Sequence, residues 1–113
     1  MIVCIPVDET GTVGPHWGRA HTVALAGVEN GDLTSWQVHE VGWDVAHDEG
    51  THGSHHARIV RFLREHGVQA IVAGGMGPGM QQVVGKLGLP LVLGAAGDAR
   101  AAVVAAVPLL LTA

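Results

Sequence analysis

Thiol chemistry is nearly missing from this chain. Its single cysteine, Cys4, excludes an internal disulfide and any zinc or iron–sulfur site built from several thiolates of one chain. Set in an apolar run, Cys4 reads as a small buried hydrophobe. Tyrosine is absent and phenylalanine occurs once, so the large aromatic anchors reduce to Trp17, Trp36 and Trp43, expected in the core or at an interface. Basic residues are few, five Arg and one Lys scattered along a chain of net charge -4, which argues against nucleic acid as a partner. No apolar run is long enough to span a membrane, and the first residues lack the basic start of a signal peptide, so a cytoplasmic location is expected. Charged residues make up only 14% against 48% hydrophobic, and so thin a surface charge points to a protein partner or a second copy covering part of it. The 113 residues suit one domain spanning 1–113.

What is present falls into alternating patterns. Residues 2–7 are rich in β-branched side chains and predict a buried strand, closed by the turn signal Asp8-Glu9-Thr10-Gly11. Residues 22–28 and 33–41 predict two further strands joined by a hairpin at Asn30-Gly31. A three-stranded antiparallel meander follows. The period then lengthens: Ile59, Val60, Phe62 and Leu63 share a helical face over 55–66, with Ser54 as cap and Gly67 past the end. A strand over 68–73 leads to a second helix marked by Met80, Val83, Val84 and Leu87, with Pro78 at its start and Gly88 beyond it. A strand over 89–93 and a helix over 99–106 capped by Asp98 complete βαβ units. Residues 108–113 read as a terminal strand or as a segment packed on a partner. The expected class is α/β, a mixed sheet flanked by helices.

Four of the eight histidines, His47, His52, His55 and His56, fall within ten residues. Neutral imidazole suits Zn, Fe, Ni and Cu, and a helix starting near Thr51 would place His52 on one face with His55 or His56. His16 in the first loop would join them if the two loops share an end of the sheet. A polar surface segment with a histidine bias is the other reading. A second constellation, Gly74-Gly75-Met76-Gly77-Pro78-Gly79, follows a strand and opens a helix, where free amides favour an anion. It is neither a Walker A motif nor a dinucleotide fingerprint, and a tight turn requiring positive φ accounts for the glycines equally well. Asp8 stands at the end of the first strand without the acidic partners that two-metal phosphodiester chemistry needs. No Ser-His-Asp order stands out.

Three segments in sequence, Ile2-Val3-Cys4-Ile5-Pro6-Val7-Asp8, His16-Trp17-Gly18-Arg19 and the stretch ending Ala73-Gly74-Gly75-Met76-Gly77-Pro78-Gly79, carry a resemblance. Together they resemble the dinitrogenase iron-molybdenum cofactor biosynthesis family, of the NifX and NifB C-terminal domain type. Trp17 replaces the family's Phe, and the additional Cys near the glycine loop is missing. The resemblance implies a ribonuclease H-like fold and the binding or carrying of a nitrogenase metal-cluster precursor. The resulting expectation is a non-enzymatic carrier of a transition metal ion (Zn, Fe, Ni or Cu) or an iron-molybdenum-type cluster. Its candidate ligands are His16, His47, His52, His55 and His56, with Gly74, Gly75, Met76, Gly77 and Gly79 as a cofactor-binding wall. The alternatives are a metal-free regulatory or scaffold module that binds a partner protein or small anion, and a His-zinc hydrolase using Glu49 as base.

Overall fold

Alternation along the first strand decides the layering. In the computed structural model, which describes residues 1–46 and 51–111, β1 (Ile2–Val7) points Val3, Ile5 and Val7 to one face and Cys4 to the other. Both faces are buried, as expected for a strand in the middle of a sheet covered on two sides. β2 (Thr22–Glu29) runs antiparallel to β1 and β3 (Asp32–Glu40) antiparallel to β2, while β4 (Ala70–Val72) pairs parallel with β1 and β5 (Leu91–Val92) parallel with β4. The sheet order is β3-β2-β1-β4-β5. Asn30 (φ 53°) and Gly31 (φ 83°) both take left-handed conformations, the geometry a two-residue hairpin requires to match the strand twist.

Four helices among the described residues cover the sheet: α1 (Trp43–Ala46), α2 (His52–Glu65), α3 (Pro78–Lys86) and α4 (Ala99–Leu111). On one face α4 lays Ala99, Val103, Ala106, Val107 and Leu110 on Val3, Ile5, Ala24, Ala26 and Val72. On the other, Trp43, Ile59, Leu63, Met80 and Val84 cover Cys4, Val23, Leu25 and Ile71. No helix is long and apolar enough to cross a membrane among the described residues.

Three expectations are corrected. α2 begins three residues earlier than 55, because Thr51 is the cap and Ser54 sits at the third helical position, completing a reciprocal capping box. The four-residue helix α1 has no counterpart in the sequence pattern. Residues 108–111 are helical where a terminal strand was one expectation: α4 runs through Pro108 to Leu111. A proline here removes one hydrogen bond and crowds the carbonyl four residues back. Pro108 and Val104 both lie on the exposed face, where water can serve that carbonyl, while the stripe Val103, Ala106, Val107, Leu110 stays buried throughout. Thr112 and Ala113 lie outside the described residues.

Candidate functional site

β1 and β4 run parallel and side by side, so the loops that leave their C-terminal ends meet, and open α/β sheets bind ligands at such ends. The loop after β1 is held by its own side chains. The Asp8 carboxylate accepts the amides of Thr10 and Thr12 at 2.9 Å each and the Thr10 hydroxyl at 2.8 Å. These bonds, led by that from Thr12, hold its carboxyl below the usual carboxylate range. Asp8 is therefore committed to the turn. Beyond it a 3₁₀ turn (Trp17–Arg19) buries Trp17 completely, between exposed His16 and exposed Arg19. Trp17 meets Trp43 edge-on at 5.1 Å, and its main-chain N–H donates to the Gly75 carbonyl at 2.9 Å. A buried ring thus pins the turn and leaves the flanking cation and imidazole outside.

The glycine turn closes the opposite wall. None of Gly74, Gly75, Gly77 and Gly79 is in the left-handed region, so the expected need for positive φ is corrected. Close approach explains the first two instead. A Cβ on Gly74 would lie 3.2 Å from the Ala95 carbonyl oxygen and 3.3 Å from that of Gly14, and one on Gly75 would lie 3.1 Å from the Pro15 oxygen. Three stretches of main chain touch there, and a Cβ would fit only if one of them gave way by a few tenths of an ångström. Pro78 opens α3, and no side chain caps Gly77, which leaves the first-turn amides for water or a ligand. His16, Trp17, Gly18, Arg19, Gly75, Met76 and Gly77 line a cleft of about 520 Å³.

Next to it is a smaller cavity of about 190 Å³ that shares Gly18 and Gly77 and is also lined by His55, His56 and Gly79. The first turn of α2 supplies both imidazoles. Their environments differ sharply. His55 is buried at 4% exposure; its Nε2 lies 2.8 Å from the Gly18 carbonyl and its Nδ1 3.1 Å from Arg58 Nη1. A guanidinium can only donate, so Nδ1 accepts and the proton resides on Nε2, which donates to Gly18. In this arrangement His55 ties α2 to the 3₁₀ turn, with both ring nitrogens engaged. His56 is half-buried, and its Cε1 would lie 3.1 Å from a Cβ on Gly79.

The fold therefore brings His16, His56 and the glycine turn to one end of the sheet. His47, with Asp48 and Glu49, lies outside the described residues, as does the side chain of His52. Among the described residues no three His, Cys, Asp or Glu side chains converge as a ready-made metal site. Cys4 contributes nothing there: it is fully buried in the sheet, and desolvation drives its thiol far above the ordinary value. It is expected to resist a thiol reagent in the native chain and react once denaturant is added; fast labelling of folded protein would contradict this burial. Arg19, in the cleft wall, belongs to the His16-Trp17-Gly18-Arg19 motif but is not among the candidate site residues read from the sequence.

The family model described as "dinitrogenase iron-molybdenum cofactor" matches residues 1–108 of the chain. No curated protein sequence matches it significantly. Among solved structures, the crystal structure of PH0822 is similar at 25% identity over 95% of this chain and 89% of that one, with a TM-score of 0.73. The apo form of the orange protein from Desulfovibrio gigas is similar at 19% identity, covering 90% and 82%, with a TM-score of 0.72. A Thermotoga protein (TM1290), placed by name with NifB and in the DUF35 family, is similar at 21% identity, covering 95% and 86%, with a TM-score of 0.67.

Proposed function

We propose, from the premise that the chain belongs to the dinitrogenase iron-molybdenum cofactor family, that it binds and carries a metal or anionic metallocluster as cargo in the cleft between the 3₁₀ turn and the glycine turn. The observation that carries this reading is the convergence of His16, Arg19 and Met76 with the uncapped start of α3 on one cleft. Each group has a separate task. His16 offers an imidazole to an open coordination position, Met76 a soft thioether, and Arg19 and the amides of α3 balance negative charge. His56 extends the donor set from the adjoining cavity, while His47, ahead of α2 in sequence, and His52, its first residue, remain candidates. A ribonuclease H-like arrangement goes with this reading, supported by the order β3-β2-β1-β4-β5, and so does a cytoplasmic location.

The test uses chain without an affinity tag, reconstituted anaerobically and analysed for Zn, Fe, Ni, Cu and Mo, beside His16→Ala. Near-stoichiometric metal is expected in the wild type, with affinity at least about 10-fold lower in the variant, the size of effect that loss of a supporting group already produces. Binding should weaken as pH falls through about 6.5, because protonated imidazole cannot ligate. Less than about 0.1 equivalent of every metal in both proteins, against sites that normally fill, would leave the metal-free scaffold as the better reading.

A further inference from the structure

His21 lies outside the cleft described above and holds the connection between β3 and α1 from two sides. Its main-chain carbonyl accepts the amides of Val41 at 2.9 Å and Gly42 at 3.0 Å. Its ring stands between two carboxylates from different elements: Nδ1 lies 3.0 Å from Asp44 Oδ1, in α1, and Nε2 lies 3.2 Å from Glu40 Oε1, at the end of β3. A neutral imidazole has one N–H and can donate to only one of them, leaving a lone pair facing the other oxygen. The imidazolium donates to both. The element it grips leads back to the cleft. Trp43 opens α1, donates its amide to the Ala20 carbonyl at 2.9 Å, and stacks edge-on against Trp17, whose own amide holds the glycine turn at Gly75.

The geometry points to a pH-sensitive clasp: imidazolium at His21 closes Glu40 onto Asp44 and fixes α1, and through Trp43 and Trp17 the inner wall of the cleft, while the neutral ring releases one arm. The charges around it favour the closed form. Glu40 faces it from β3 and Asp44 from α1, and the depression beside it is also lined by the acids Asp8 and Glu9, by His16 and by Arg19, the one cation there, which works against the imidazolium. Asp44, and then Glu40, hold the His21 ring above the ordinary imidazole value of 6.5, and His21 in turn holds Asp44 below 3.8. Because the folded value of His21 is raised, its contribution is complete below 6.5 and disappears as pH rises through the higher folded value. The contribution of Asp44, whose value is lowered, is complete above 3.8 and disappears as pH falls through its folded value. The His21–Asp44 arm is therefore complete between 3.8 and 6.5. All three groups are solvent-exposed, so added salt should weaken it.

As regulation of the cleft, this rests on the carrier reading; as a conformational device it does not, and NMR of the cargo-free chain decides it. The His21 ring should titrate above 6.5, with the Trp43 indole N–H resonance moving at the same midpoint. Asp44→Asn should lower that midpoint, and His21→Gln should abolish the Trp43 transition while the remaining amide spectrum stays that of the folded chain. A Trp43 resonance that stays still through the His21 titration, or one that moves unchanged in His21→Gln, overturns the clasp. Coupling to cargo is read with Zn²⁺ as probe at about pH 6 and about pH 8, on either side of the imidazole range. The ratio of wild-type to His21→Gln affinity should be about threefold larger at the lower pH, the order expected for an exposed ion pair. Equal ratios overturn the coupling. Zinc binding by neither protein defeats the carrier reading alone, with the clasp already settled by the indole resonance.

Discussion

Trp43→Ala is expected to destabilise the chain by about 3–5 kcal/mol, the range for truncating a buried Trp. Trp43 is 2% exposed and sits where three elements meet: it packs edge-on against Trp17 at 5.1 Å and against Phe62 of α2 at 5.6 Å, while its amide is bonded to Ala20. Four-residue α1 has almost no helical stability of its own, since nucleation is unfavourable and so short a helix forms few internal bonds. The ring is what keeps it in place. Urea denaturation followed by circular dichroism measures the loss; a change below about 1 kcal/mol, typical of surface positions, would mean that α1 is not an anchor. Trp43→Phe should recover part of the stability, because a ring edge still reaches Trp17.

The ease with which each element could be read from the sequence follows the physics that forms it. β1, β2 and β3 were legible because β-branched runs and the Asn30-Gly31 turn are local signals, and α3 because Pro78 and Gly88 bracket its apolar stripe. α1 was not legible, since its stability is tertiary and resides in Trp43. The continuation of α4 past Pro108 was hidden by a local rule that tertiary packing overrides: the buried stripe ending at Leu110 outweighs one lost main-chain bond. The start of α2 is ambiguous in sequence because two hydroxyl residues three positions apart, Thr51 and Ser54, both suit a cap, and in the fold they bond to each other.

The site divides in the same way. Family-type motifs drew attention to His16 and the glycine turn, and the fold sets them across one cleft. Counting histidines could not separate His55 from His56, because their difference depends on Gly18, 37 residues away from His55, and on the Arg58 guanidinium. His21 carries no local signal of its role. Its partners Glu40 and Asp44 are remote in sequence, and only the β2–β3 pairing, which places Thr22 opposite Glu40, brings them to its ring. Of the two readings the glycine turn allows in sequence, the one from positive φ fails, and contact between separate loops takes its place at Gly74 and Gly75.

That cause yields opposite outcomes for one substitution at two glycines. Gly74→Ala should cost about 1–3 kcal/mol, as overpacking does, because the new Cβ meets the carbonyl oxygens of Ala95 and Gly14 at 3.2 and 3.3 Å, and main chain cannot rotate away as a flexible side chain can. Gly85→Ala should instead stabilise by about 0.5–1 kcal/mol: it lies in α3, nothing stands within 4 Å of its Cβ position, and alanine is the better helix former. Denaturant midpoints of the two variants at constant slope measure both signs. A neutral Gly74→Ala would mean that the loops after β1 and β5 give way easily, and the cleft wall would then not be rigid. Functionally, relief of the clash has to shift the first loop against the glycine turn or stretch the bonds that hold Ala95 to Ala73 and Gly94 to Gly74, and the first loop is tied there by the Trp17–Gly75 bond that sets the cleft wall. His16 would move with that loop, so Gly74→Ala should weaken metal binding without removing any ligand, whereas Gly85→Ala should leave it unchanged.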